Sequence, residues 1–415
     1  MMVSAQDDDN ALDLPAITPQ NIASLQPFAR LQGHADSVVA VAYSPDGTQL
    51  ATGGYDETVR LWDVKSGMLE HTFLRFASSL SFSADSATLA STGYDGTGVL
   101  RTDSGAPYFE DEFGAREVGL SPDGKYLASA EWDGTLKIYD ALTGAFSWEA
   151  DMPEIQYVFT NIPSFTTDGK YLVAVISHVA VGFWDAETHE RVKLIVHGGD
   201  DPSIGGFAIS PDGTTLAVTT RNGVWLWNID NGSPSGEFIK RLEYPTDVQS
   251  PVTASSVTNV IFSADGQLVV ANRCNEYGER SCISIELWFW DVVSGEAVRT
   301  LSGFPMKDGN FASINVAFSP DGSLLALAVR QRDVQIWAIV DDDACRIFSG
   351  QNANLRSGPG TSFEARGVLE PGVSSVVISK TQDSGGFTWW GVYGESWARE
   401  DVVQTSGDCN AVPSL

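Results

Sequence analysis

Ser44-Pro45-Asp46-Gly47 returns six more times along this chain, at intervals of about 38 to 56 residues. The further copies are Ser83-Ala84-Asp85-Ser86, Ser121-Pro122-Asp123-Gly124, Thr166-Thr167-Asp168-Gly169, Ser210-Pro211-Asp212-Gly213, Ser263-Ala264-Asp265-Gly266 and Ser319-Pro320-Asp321-Gly322. Proline suits the first central position of a turn, aspartate can accept from its own backbone, and glycine adopts positive φ without penalty. An apolar run precedes each copy, as in Val38-Val39-Ala40-Val41-Ala42-Tyr43, and Leu-Ala or Leu-Val follows. Most copies then reach a strand ending in Trp-Asp or a variant of it. A hairpin turn repeated in register predicts an all-β repeat architecture.

Size and composition fit that reading. At 415 residues, with 43% hydrophobic and 10% aromatic residues, the chain can fill more than one globular core. No apolar run is long enough to span a membrane as a helix. A net charge of −29 argues against nucleic acid as a partner, because such binding needs a basic face that releases counterions. The acidity itself serves solubility, with a cationic partner as the minority alternative.

Three segments differ in pattern. Residues 1–19 are acidic and short of large apolar side chains, and are expected to be disordered. Within them, Val3-Ser4-Ala5 ahead of Gln6-Asp7-Asp8-Asp9 is similar to the end of a secretory signal, so an exported protein is expected. Residues 20–340 carry the repeats, and residues 341–415 break them.

The first repeat is the most regular: Gly33-His34, the strand before Ser44, Leu50-Ala51-Thr52, Tyr55-Asp56, then Val59-Arg60-Leu61-Trp62-Asp63. This order resembles the WD-repeat family, whose units are four-stranded sheets set radially as propeller blades. The resemblance implies a seven-bladed β-propeller over residues 20–340. It also implies that His34, Thr52, Asp56 and Trp62 form a buried hydrogen-bonded tetrad, structural in role. Later repeats depart from it, with Arg101 and Tyr139 at the tryptophan position of the second and third. After Trp337 too few residues remain for a last outer strand, so residues 22–31 are expected to supply it, with Pro27 tolerable at an edge.

The sixth repeat carries an insertion flanked by Cys274 and Cys282, which a disulfide would staple at a gain of about 2–3 kcal/mol on the chain-entropy model. Two reduced thiols in an intracellular protein are the alternative. Cys345 and Cys409 bracket the C-terminal segment, where a bridge would compensate for a small core.

That segment holds Asn354-Leu355-Arg356-Ser357-Gly358-Pro359-Gly360, then Trp389-Trp390-Gly391-Val392-Tyr393-Gly394 and Ser396-Trp397-Ala398. It resembles the bacterial Src-homology-3-like domain, a small β-barrel of exported and cell-wall-associated proteins. The resemblance implies peptide or cell-wall stem-peptide binding, with Trp389, Trp390, Tyr393 and Trp397 available as groove aromatics. Adjacent strand residues point to opposite faces, so one of Trp389 and Trp390 is core and the other surface.

In the WD-repeat family the residue before the hairpin aspartate lies on the central face. Here those positions match Tyr55, Tyr94, Trp132, Ser177, Arg221 and Arg330, a set of aromatic and arginine side chains suited to protein binding. The loops at 244–256 and 304–310, with the cysteine loop, would wall one side. For catalysis the sequence offers little: the five histidines show no HExxH spacing and there is no GxSxG. His178 and scattered acids are the unassigned candidates. No metal or cofactor is expected. The reading is thus a secreted, non-catalytic binding protein, monomeric, with a protein or peptide partner; the alternative is a propeller hydrolase or lyase carrying a C-terminal targeting module.

Overall fold

The computed structural model describes residues 14–111, 114–152, 163–176, 179–196, 204–220, 222–229, 237–244, 259–277, 282–305, 314–329, 331–341, 343–370, 373–394, 396–412 and 414. Their strands build seven four-stranded antiparallel sheets and one seven-stranded sheet. Helix among the described residues is confined to one 3-10 turn, Ile22–Ser24.

Blade 1 is formed by Val38–Tyr43, Gln49–Gly54, Thr58–Asp63 and Leu69–Leu74, paired in chain order. Blades 2 to 6 repeat this meander, starting at Ser79–Phe82, Ala115–Leu120, Ser164–Phe165, Ile204–Ile209 and Val260–Phe262. First strands of neighbouring blades touch one another, which places them around the axis and the fourth strands at the rim. Apolar residues fill the spaces between blades. Ala40, Ala51, Val59 and Leu61 of blade 1 pack on Ala77, Leu80 and Leu89 of blade 2. No blade buries its faces alone, so the ring is the stable unit.

The repeated turn is a closed hydrogen-bond network. The Ser44 hydroxyl donates to Asp46 Oδ1 at 2.7 Å and accepts from the Gln49 amide at 2.8 Å. Equivalent hydroxyl-to-carboxylate bonds of 2.5–2.7 Å occur at Ser83, Ser121, Thr166, Ser210, Ser263 and Ser319. Such bonds to an ionised acceptor hold the Asp85 and Asp212 carboxyls below the usual carboxylate range. Gly47 takes φ +75° there, and in the second copy Ser86 must adopt φ 61° instead. Its hydroxyl accepts from the Asp46 amide at 3.0 Å, tying turn one to turn two.

The seventh blade is closed by the N-terminal segment. Leu25–Leu31 pairs antiparallel with Val334–Ile339, from Leu25 opposite Ile339 to Leu31 opposite Val334, with an irregularity between Pro27 and Ala29. Residues 22–24, expected in that strand, form the 3-10 turn instead. The expectation of disorder across 1–19 needs correction for 14–19. Ile17 is buried with Ile22 and Leu25 against Leu268 and Leu325 of blades 6 and 7, and its amide donates to the Gly322 carbonyl at 2.8 Å. One large aliphatic side chain in an acidic stretch is enough to anchor it. Residues 1–13 lie outside the described residues.

The C-terminal strands curl into one sheet in the order Ala365–Leu369, Ala353–Arg356, Ser396–Arg399, Thr388–Val392, Ser374–Gln382, Arg346–Phe348 and Gln404–Ser406. Both disulfides are present, Cys274–Cys282 and Cys345–Cys409. The sheet is seated on the junction of blades 7 and 1. Tyr393 packs beside Phe28 at 5.4 Å between ring centroids, and its hydroxyl donates to the Val64 carbonyl. Arg346 reaches Gln26 Oε1 at 2.7 Å and the Pro27 carbonyl at 3.3 Å.

Candidate protein-interaction face

The predicted tetrad is assembled in blade 1. His34 Nδ1 lies 3.0 Å from both Asp56 oxygens, Nε2 is 2.7 Å from Thr52 Oγ1, and the Trp62 indole donates to that hydroxyl at 2.9 Å. Burial lowers the His34 pKa against the opposing pull of Asp56, favouring the neutral ring. The network then assigns Nδ1–H to Asp56 and leaves Nε2 to accept from Thr52. The His34 side chain is fully sealed from solvent, so the set braces the blade.

Other blades satisfy the same need differently. In blade 2, Thr92 and Thr97 share a 2.7 Å hydrogen bond, and the Ala115 amide donates to Thr92 at 3.0 Å. In blade 3, Tyr139 donates to Glu131 at 3.2 Å. Trp184 and Trp290 instead donate to the backbone carbonyls of Asp151 and Glu243, each at 3.3 Å.

The hairpins joining second and third strands bring Tyr55, Tyr94 and Trp132 to one side of the ring, where they are 45%, 59% and 57% exposed. Phe76 joins them from the connection between blades 1 and 2. It is buried because it is stacked on both sides, 5.3 Å from Tyr55 and 4.4 Å from Tyr94. Its amide donates to Asp95 Oδ2 at 3.1 Å, as the Ala35 amide donates to Asp56 at 2.9 Å. Sequence reasoning missed Phe76, although its place before the first strand of blade 2, matching that of Ala35, was a readable signal. Arg116 lies 4.8 Å from the Trp132 ring.

Beyond Tyr94 a groove of about 710 Å³ opens between blades 2 and 3, lined by Tyr94, Asp111, Glu131, Trp132, Asp133 and Tyr139. Desolvation raises the Glu131 pKa against hydrogen bonds from Ser129 and Tyr139. On the first strand of blade 3, desolvation pushes the half-buried Glu117 carboxyl up to about 7. Arg221, Arg330, Ser177 and His178 lie outside the described residues, as do 245–256, 278–281 and 306–310 of the expected walls. Among the described residues, no group of three or more His, Cys, Asp or Glu is arranged to hold a metal ion.

The C-terminal aromatics are not a common groove. Trp389 is core, 1% exposed, with its indole donating to Asp383 at 2.9 Å. Tyr393 is spent on the junction with the propeller, so neither side chain is free for a ligand. The strand alternation that buries Trp389 leaves Trp390 half-buried, and Trp397 is half-buried as well. A cleft of about 420 Å³ lies at the junction, with Arg30, Arg60, Trp62, Leu369 and Tyr393 in its wall.

The family model for the WD domain, G-beta repeat, matches residues 25–63 and 114–140. The first match spans the closing strand of blade 7 and three strands of blade 1, so the sequence unit is offset by one strand from the blade. The ring is a seven-bladed β-propeller, and two of its segments are similar to the WD repeat. The chain is 22% identical over 368 residues to apoptotic protease-activating factor 1 of Rattus norvegicus, covering 81% of this chain and 28% of that protein. It is 24% identical over 271 residues to the protein LST8 homolog of Drosophila melanogaster, covering 59% of this chain and 81% of that one. The β-propeller domain of Myceliophteria thermophila Cps50 (Swd1), 18% identical, superposes with a TM-score of 0.59 over 76% of this chain and all of that one. The chain thus spans about a quarter of the first of these relatives. WD-repeat propellers generally act as scaffolds for protein interaction. No helix among the described residues is long and apolar enough to cross a membrane.

Proposed function

We propose that this chain is a non-catalytic binding protein whose hairpin face on blades 1 to 3 receives a protein or peptide partner. The observation that carries the reading is the stacked row Tyr55–Phe76–Tyr94, continued by Trp132, with three large rings held in solvent. Rings immobilised before binding lose little entropy on contact, and aromatic side chains dominate interface energetics. Against catalysis stand the roles already filled by the repeated polar groups, which close turns or brace blades.

Export is part of the proposal, supported by the two disulfides, which persist in oxidising compartments. So is the reading of residues 341–415 as a Src-homology-3-like module, supported by its curled seven-stranded sheet. Its binding surface, if it takes cell-wall peptide, is reduced to Trp390 and Trp397. The test is a pull-down from the envelope fraction, with isolated peptidoglycan in parallel, using the intact chain and a Tyr55→Ala, Tyr94→Ala, Trp132→Ala triple variant. Protein retained by the first and lost by the second supports the face; equal retention sinks it.

A further inference from the structure

The hairpin face has a sign as well as an apolar surface, and the sign narrows the partner. This inference rests on the reading of that face as the docking surface. The groove between blades 2 and 3 sets Asp111, Glu131 and Asp133 against one lysine, Lys137, between the exposed rings of Tyr94 and Trp132. Lys137 stands 3.9 Å from Asp133, so it offsets only part of that charge. Two more carboxylates flank the aromatic row: Glu57 accepts from the Tyr94 hydroxyl at 3.4 Å, and Asp95 holds the Phe76 amide.

We propose that this groove receives an arginine or lysine side chain of a partner polypeptide, its cation held between the rings of Tyr94 and Trp132 and the carboxylate of Glu131. Aromatic faces attract cations, and the attraction grows as the site is desolvated. Trp132 already displays the preference, since the guanidinium of Arg116 lies over its ring at 4.8 Å. That cation reduces the acidic excess of the face without reversing it. Half-buried Glu131 accepts from neutral Tyr139 at 3.2 Å, and an incoming cation would compensate the water it has lost. An anionic partner would meet three carboxylates at close range. The chain's net charge of −29 also steers cationic segments toward the protein from a distance.

The test must separate this groove from diffuse attraction by an acidic protein. The probe is a labelled peptide of three arginines alternating with glycine, compared with the same peptide carrying neutral citrulline, read by fluorescence anisotropy. The intact chain should bind the arginine peptide about tenfold more tightly than the citrulline one, and Glu131→Gln and Trp132→Ala should each weaken it about fivefold or more. Glu296→Gln, which removes an exposed charge in a distant blade 6 turn, should change it less than twofold. Equal binding of the two peptides, or equal loss in Glu296→Gln and Glu131→Gln, overturns the proposal. Suppose a captured protein partner is lost in the aromatic triple variant but unaffected by Glu131→Gln with Asp133→Asn. The docking face then stands and the cationic groove fails.

Discussion

Gln32 and Val368 exchange two hydrogen bonds, each 3.2 Å, across the junction of the propeller and the C-terminal sheet. The Gln32 amide thereby stands in for a backbone partner, extending the closing strand of blade 7 toward the edge strand Ala365–Leu369. Together with Tyr393 and Arg346, it makes the C-terminal sheet a clasp over the segment that closes the ring. Tyr393→Phe leaves the Val64 carbonyl without its phenol donor and should cost about 1–2 kcal/mol. Tyr393→Ala also empties a packed site and should cost about 3–5 kcal/mol. Gly67→Ala should mimic the larger loss, because a Cβ there would meet the Tyr393 ring at 2.5 Å with φ at +70°. Thermal unfolding of the three variants checks this order.

Ring closure by the N-terminal strand makes a second prediction. Removing residues 1–13 should leave the melting temperature within a degree or two. Removing 1–31 should lower it by far more, because it exposes the edge of Val334–Ile339 and strips Ile17, Ile22 and Leu25 from the core between blades 6 and 7. Equal melting of the two truncations would contradict the closure.

The bridges should contribute unequally. The chain-entropy model gives about 2–3 kcal/mol for the short loop of Cys274–Cys282 and about 4 kcal/mol for the longer loop of Cys345–Cys409. Paired serine variants, compared by denaturant unfolding, should rank in that order.

Stability should respond to pH through two desolvated groups of opposite sign. Burial depresses His34 from 6.5, so as pH falls below that value the unfolded chain takes up the proton first and stability is lost. Glu117 is raised from 4.5 to about 7, so the folded state keeps a proton that the unfolded chain has released. Its contribution is fully present below 4.5 and is lost as pH rises through 7. Glu117→Gln should therefore stabilise the protein above pH 7, by about 1–3 kcal/mol, and make little difference near pH 4.5. Melting curves from pH 4.5 to 8 measure it.

What the sequence disclosed follows from how local each signal is. The Ser-Pro-Asp-Gly turns were legible because hydroxyl, carboxylate and positive-φ glycine all sit within a few residues. The tetrad was legible in blade 1, where all four residue types are present, and obscure in blades 2 and 3, where Thr97 and Glu131 take up the polar work. Tyr55, Tyr94 and Trp132 could be placed by hairpin position. Phe76 stands where blade 1 has Ala35, a positional match the sequence carries, but its stacking between Tyr55 and Tyr94 depends on a linker that crosses between two hairpins. Tyr393 misled for the opposite reason: an aromatic in a segment expected to be a small barrel reads as ligand-binding until the curled sheet is seen pressed against Phe28 and Val64. Nothing in residues 1–19 marks Ile17 as an anchor, since its partners Leu268 and Leu325 are distant in sequence.

The proposed partner is assigned to the hairpin side of the ring. Photo-cross-linking residues placed at Tyr94 and Trp132 probe the hairpin side. The same label at Leu142 and Val293, exposed apolar positions in turns after third strands, probes the opposite side. Incubated with the envelope fraction of the source cells, labels at 94 and 132 should yield one discrete cross-linked protein, absent from labels at 142 and 293. A product that forms at 142 or 293 and not at 94 or 132 would contradict the assignment of the binding face.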